Sequence, residues 1–225
     1  MGMSKGQKTK RAIELAARAI AVDKGFSGAS QREIAQRAGV DKPLVQYHFP
    51  EKRLFAIGFM EEMLDLIDGF ANDAGWLEGK YFENLLVVGG MNFAYLIESR
   101  KLANITPDLL SQRESTEAII GLEIAWATKY LNYVEEHGGK ERWEDLVVLI
   151  MGGAYELIYR KTAAGEALDA EWLIKTCIRA EMGLLGFDEE ETADVLASYR
   201  EADYDKAALF EFLDKRLFQG EDQRP

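Results

Sequence analysis

The chain has 225 residues, 48% of them hydrophobic and only four of them proline, which suits an ordered, helix-rich protein of one large or two small domains. No apolar run reaches the roughly 18–20 residues needed to span a bilayer, and no charged-then-apolar leader opens the sequence, so a cytoplasmic protein with no membrane partner is expected. A single cysteine, Cys177, forms no internal disulfide, and with two histidines it builds no zinc site unaided. Cys177 therefore reads as a small core residue, and no metal or cofactor is expected.

The net charge of −12 argues against nucleic acid until it is divided along the chain. Residues 1–53 hold 11 basic and 5 acidic side chains, a balance of +6, whereas residues 54–225 carry −18. A small basic head on a large acidic body points to nucleic acid for the head alone.

From Lys8 to Lys24, Ile13, Ala16, Ala17, Ile20 and Ala21 recur at three- and four-residue steps, the mark of a helix with one buried face, and Gly25 stops it. Ser30 and Glu33 make a Ser-x-x-Glu capping box, so a helix begins at Gln31. Gly39 in Ala-Gly-Val supplies the break, since glycine reaches positive φ without a steric cost. Asp41 caps a second helix with Pro43 in its first turn, and Phe49-Pro50 ends it. Helix, short glycine-containing turn and helix is the helix-turn-helix pattern, whose second helix enters the major groove. Ile13, Ile20, Phe26, Ile34, Val40, Val45 and Phe49 should form the core of this three-helix head.

Ile13, Ala16-Ala17, Gly25-Phe26, Ser30, Glu33-Ile34-Ala35, Ala38-Gly39-Val40, Leu44-Val45, Tyr47-His48-Phe49, Lys52 and Leu54-Phe55 resemble the N-terminal signature of the tetracycline-repressor (TetR) family. The match spans about residues 10–57 at many dispersed positions in one register. The resemblance implies an all-α fold, a homodimer on a double-stranded DNA operator, and repression relieved by a small-molecule effector. It also implies that Lys42, Pro43, Leu44 and Gln46 approach base edges, while Tyr47, His48 and Lys52 hold the phosphate backbone. By chemistry, Gln46 suits adenine N6 and N7, and Lys42 suits guanine O6 or N7. Many relatives carry tyrosine where this chain has Gln46, so the operator sequence does not carry over. Ser30, Gln31 and Arg32 bring a hydroxyl, amides and a cation to a helix start, which suits phosphate. For His48 the alternative is a structural histidine beside Phe49; for Arg37 a solvated helix face is the simpler reading.

The body should begin with a long helix from about Glu51 to Ala74, and Gly75 and Gly79 break its pattern. Tyr81 to Arg100 resumes a helix with Gly89-Gly90 at its middle, a pair that marks close backbone approach or a bend. Leu102 to Pro107 reads as a connector. From Asp108 to Glu136 one helix is expected with two stripes, Ile120, Ile124, Ala127, Leu131 and Val134 on one side and Glu123, Trp126, Tyr130 and Tyr133 on the other. The second stripe lines a ligand cavity, caps the core at its rim, or faces a partner. The candidate ligand-binding residues are Met63, Met91, Tyr95, Glu123, Trp126, Tyr130 and Tyr155, and aromatics beside carboxylates suit a lipophilic or cationic effector.

His137-Gly138-Gly139 closes that helix. Glu141 to Ala163 is apolar almost all round from Leu146 to Tyr159, with Gly152-Gly153 allowing close approach, and a further helix runs from Asp169 to about Phe187 with stripes of Leu173, Cys177, Ala180 and Leu184 and of Ile174, Ile178 and Leu185. Two helices with two apolar faces each predict a two-fold homodimer through 141–187. Asp188 starts another helix, and Leu209, Phe212, Leu213 and Leu217 mark a last one. The expected organisation is a helix-turn-helix domain over 1–50, a helical effector-binding and dimerisation domain over 51–218, and a disordered tail over 219–225.

The leading functional reading is a dimeric, ligand-released repressor. A DNA-binding protein of the same fold governed by a protein partner is the alternative, and it predicts a body without a closed cavity. An enzyme is not expected: no nucleophile–base pair, phosphate loop or metal cluster is legible, and Glu98, Glu123 and Glu156 are isolated on their helices.

Overall fold

The computed structural model describes residues 4–77, 81–128, 140–199 and 204–220, and all regular structure among them is helical. Helix α1 (Lys5–Gly28) starts three residues before the expected Lys8, because Ser4 and Gln7 form a capping box of their own. Its helical path breaks at Lys24 and Gly25, where Gly25 takes φ 70°. No other residue fits there, since a Cβ would stand 2.5 Å from Asp108 Cγ.

Helix α2 (Gln31–Ala38) begins on the Ser30–Glu33 capping box and ends at Gly39 in the left-handed region, φ 66°. Helix α3 (Lys42–His48) follows after the tight turn. One expectation is corrected here: Asp41 occupies the capping position, but its side chain makes no cap hydrogen bond. The turn is closed instead by the backbone, Leu44 N donating to Asp41 O at 2.9 Å, with Pro43 fixing φ at the helix start. Ile13, Ile20, Phe26, Ile34, Val45 and Phe49 are all buried and Val40 is half-buried, so the head packs as its periodicity requires.

Helix α4 (Arg53–Asp73) joins the head to the body and packs on α1, on α5 (Tyr81–Glu98) and on α7 (Arg113–Ala127). The Gly89-Gly90 pair in α5 marks close approach: Cβ atoms there would lie 2.7 Å from Ile174 Cδ1 and 2.9 Å from Tyr199 Cε2. The connector expected at 102–107 is partly helical, with a 3₁₀ turn at Arg100–Leu102 and a short α6 at Ile105–Leu110. The single helix expected over 108–136 is also broken, at Ser111 and Gln112. Both of these side chains donate to Asp108 O and so compete with the next turn of helical bonds, and Gln112 turns extended before α7 begins. Asn104, at the N-terminus of α6, makes no cap hydrogen bond with it and instead donates its amide to the Val22 and Asp23 carbonyls of α1.

Helices α8 (Lys140–Ala164) and α9 (Ala170–Leu185) pack on each other, α8 also on α6 and α7, and α9 on α5. Helix α10 (Glu189–Ala197) opens on an Asp188–Glu191 capping box. Helix α11 (Lys206–Asp214) runs into a π-helical turn at Lys215–Gln219 that returns to α1 and α4. A tail starting at 219 is therefore too early. Gln219 completes the turn and Gly220 lies against Leu15, while 221–225 fall outside the described residues. Gly79, Leu131, Tyr133, Val134 and His137 to Gly139 fall outside them too.

Candidate functional site

Two places stand out, one on the head and one in the body. On α3, Lys42, Pro43, Leu44, Gln46 and Tyr47 are exposed, and only Val45 and Phe49 anchor the helix inward. Tyr47 is 79% exposed, an aromatic ring in water with no core role, and its ring meets the half-buried His48 edge-on at 5.1 Å. Leu44 at 37% completes an apolar-aromatic spot on the face that also presents Lys42 and Gln46. Lys52 is exposed, and its Nζ donates to Ser27 O at 3.1 Å, which ties the start of α4 to the end of α1.

At the start of α2 the Ser30 oxygen accepts from Glu33 N at 3.2 Å, while Glu33 takes Ser30 N and the Lys24 ammonium. Hydrogen bonds from Lys24 and Ser30 hold the Glu33 carboxyl down at about 2. The first-turn amides of Gln31 and Arg32 have no helical partner, and Arg32 is exposed beside them. The helix start thus offers donors to a phosphate, with one fixed carboxylate at its side.

In the body a cavity of about 260 Å³ lies between α4, α5, α7, α8 and α9. An apolar cavity of roughly 150 Å³ holds a benzene ring, so this one suits a body of one or two rings. Its wall is mostly apolar, from Leu85, Phe93, Met151, Ile174 and Ile178 among others, and among the described residues it includes Glu61, Asp65, Glu123 and Glu181 but no lysine, arginine or histidine. Glu123 Oε1 is hydrogen-bonded by the Tyr155 hydroxyl, whereas its buried Oε2 has no hydrogen-bond partner. Burial, with the nearby Glu181 charge adding to it, pushes the Glu123 carboxyl up to about 8. Glu181 accepts from the Tyr81 hydroxyl at 3.0 Å and is pushed up to about 7, again chiefly by burial. Asn92 also lines the cavity; it is 2% exposed and its Oδ1 has no partner.

The candidate ligand residues divide. Glu123 and Trp126 line the cavity, and Trp126 Nε1 donates to Asp68 at 2.7 Å; Tyr155 stands behind Glu123. Met63, Met91 and Tyr95 do not line this cavity. All three are fully buried in the core, and the Tyr95 hydroxyl reaches Asp214 on α11 while its ring packs on Phe210. Tyr130 lies outside the described residues. Asn92 and Glu181 were not expected. Glu181 had a signal, because it falls on the Ile174–Ile178–Leu185 stripe of α9, where a carboxylate breaks an apolar face. Cys177 is buried as expected and borders the cavity, with burial pushing its thiol up to about 12.

Of the other glutamates, Glu98 is bound by Lys206 and Glu156 by Arg160, so neither joins Glu123 in a cleft. Among the described residues no group of His, Cys, Asp and Glu could hold a metal, and no helix is long and apolar enough to cross a membrane.

The cavity and the head are joined through α4. Glu61 lines the cavity, and the next residue, Glu62, accepts both terminal nitrogens of Arg11 at 2.7 and 2.8 Å and Arg18 Nη2 at 2.6 Å. Burial would raise the Glu62 carboxyl, but the bonds from Arg11 and Arg18 outweigh it and the net shift is downward.

Residues 13–55 match the model of the tetR family of bacterial regulatory proteins. No curated protein sequence matches the chain. Among solved structures, RolR in complex with resorcinol is similar at 12% identity over 86% of this chain and 95% of that one, TM-score 0.60. RolR without ligand gives 12% identity over 83% and 96%, TM-score 0.61. Full-length native TylP, a tetR regulator from Streptomyces fradiae, gives 16% over 87% and 99%, TM-score 0.51. With a family-specific helix-turn-helix at its N-terminus and a helical body of matching shape behind it, the chain has the fold of a TetR-family transcriptional regulator.

Proposed function

We propose that this protein is a dimeric repressor whose two α3 helices read the half-sites of a palindromic DNA operator, and that a small lipophilic or cationic molecule in the body cavity releases it. The observation that carries the reading is the adjacency of Glu61, on the cavity wall, and Glu62, the anchor of α1 through Arg11 and Arg18. A ligand that shifts α4 by a fraction of a turn acts on both residues at once. It would thereby favour one spacing of the heads over another, which is release by differential affinity. RolR was solved with resorcinol, and a mostly apolar cavity of about 260 Å³ in this body favours a small-molecule effector over a protein partner.

The second copy belongs on α8 and α9. Among the described residues the exposed large apolar side chains fall in two places: Leu44 and Tyr47 on the recognition helix, and Val148, Leu149, Trp172 and Leu184 on this pair. Gly152, Gly153 and Gly183 leave open space above the helix backbones, room for a close partner. Domain limits of 1–50 and 51–218 with dimer helices over 141–187 fit this division.

A gel-shift on the DNA upstream of the protein's own gene, across a salt series and with candidate effectors, tests the reading. Sequence-selective binding that weakens with salt and is lost on adding an effector is expected. Binding indifferent to sequence, or none at low salt, would refute it.

A further inference from the structure

Among the described residues, every charged group on the cavity wall is acidic. Glu123 comes from α7, Glu181 from α9, and Glu61 and Asp65 from α4; the last two are also exposed, so they sit at the rim. The other titratable groups packed round them are Tyr81 on α5, Tyr155 on α8 and Cys177 on α9, and burial pushes all three upward, so each stays neutral. Inside, two acceptors lack a partner, Glu123 Oε2 and Asn92 Oδ1, and Asn92 is 98% enclosed by the 2% exposure it retains. Phe93 and Trp126 supply aromatic surface beside them. Unmatched acceptors, with no cation on the wall among the described residues, leave a site complementary to a donor carrying positive charge.

We infer that the effector is a primary or secondary ammonium ion on a body of one or two rings, its N–H groups donating to Glu123 Oε2 and Asn92 Oδ1. The inference rests on the reading of this cavity as the effector site and narrows its chemistry. It carries a further consequence. In the empty cavity the Glu123 carboxyl is mostly protonated at neutral pH. An arriving ammonium ion pairs with the Glu123 carboxylate, so the acid proton leaves to solvent and that pair is neutral, while Glu181, pushed up to about 7, contributes its own partial charge nearby. Binding is then coupled to proton release, and affinity rises with pH until the empty carboxyl is already ionised, near pH 8. Two acidic rim residues draw the cation toward the opening.

The test uses the full chain and isothermal titration calorimetry with 2-phenylethylamine and 4-phenylbenzylamine, each beside the compounds in which a hydroxyl or a carboxylate replaces the amine. The amines should bind at least about tenfold more tightly than the alcohols, and the carboxylates not at all. Amine affinity should rise about tenfold from pH 6 to pH 7, and titrations in phosphate and in Tris should show release of about one proton. Glu123→Gln, nearly isosteric with the protonated acid, should keep the far-ultraviolet circular dichroism, lose the pH dependence and weaken amine binding about tenfold or more. Failure of both amines to bind, alcohols binding as tightly, pH-independent binding, or an unchanged Glu123→Gln would each overturn the inference. Release of DNA by a neutral or anionic compound, with no amine binding, would overturn it and leave the effector-cavity reading standing. Amine binding with proton release but no effect on DNA would support it and remove that reading instead.

Discussion

Gln46 and Lys52 are six residues apart and differ in what they can tell DNA. Gln46 is exposed on α3 with an amide that can pair with one base edge, whereas Lys52 is a point charge already tied to the Ser27 carbonyl, where it steadies the head and faces outward. Gln46→Ala should therefore relax preference at particular positions of the operator, and Lys52→Ala should weaken binding to all sequences alike with a salt slope lower by about 1; quantitative gel-shifts on a mutated operator set separate the two. Glu123 offers a residue-scale prediction on stability. Its folded value, about 8, stands above the unfolded 4.5, so the folded state holds the extra proton between those values. Its contribution is then fully present below about pH 4.5 and lost as pH rises through 8. The melting temperature of the ligand-free protein should fall across that window, and Glu123→Gln should flatten the fall; an equal slope in the variant would refute the assignment. Residues whose partners are close in sequence were legible in advance, Ser30 with Glu33 and Asp188 with Glu191 among them. Glu123 was legible as a cavity residue, but its partners Tyr155 and Glu181 lie 32 and 58 positions further on, and no local pattern names them.

Helices were legible where their own caps and stripes define them and less so where another element takes their groups. Helix α2 begins and ends where its capping box and Gly39 require. The α6–α7 break depends on Asn104 bonding the α1 carbonyls and on Asp108 accepting from Ser111 and Gln112, while the Asp108 carboxylate also meets Ser27, and only the packed fold assembles that junction. The C-terminal turn shows the same limit. Its apolar period predicted a helix near Leu217, but not that the Arg216 and Leu217 carbonyls would accept from Arg11 and Arg18, nor that Phe218 would pack on Phe59. Glu62 is the hub of this junction, with Arg18 only 2% exposed beside it. Glu62→Ala would leave the Arg18 guanidinium buried with the Leu217 carbonyl and the Phe59 ring face but no counter-charge, and a loss of about 3–5 kcal/mol is expected in urea unfolding. Because the same residue holds α1 to α4, operator binding should weaken in those variant molecules that remain folded. A loss below about 1 kcal/mol would show that Arg11 and the C-terminal carbonyls fix α1 without Glu62.

For the whole molecule, the division of charge has a structural counterpart: the basic segment is the head, and the acidic body contains a mostly apolar cavity with four carboxylates on its wall and the two helices that leave apolar side chains in water. A monomer gains nothing from Leu149 at 65% exposure or Trp172 at 52%. Hydrophobic burial against a second copy would recover that surface, and a two-fold arrangement would set two recognition helices about 34–36 Å apart on one face of DNA. The assignment can be tested without disturbing the core, since Val148 and Leu149 are exposed and neither belongs to the buried core. Val148→Glu with Leu149→Glu should leave the helical signal and the melting transition of the single chain intact, and should shift the sedimentation equilibrium at micromolar concentration from dimer to monomer. A monomer touches only one half-site, so affinity for a palindromic operator should fall by at least about 100-fold while affinity for a single half-site stays unchanged. A wild-type chain that sediments as a monomer, or a double variant that still binds the full operator as tightly, would place the partner surface elsewhere than on α8 and α9.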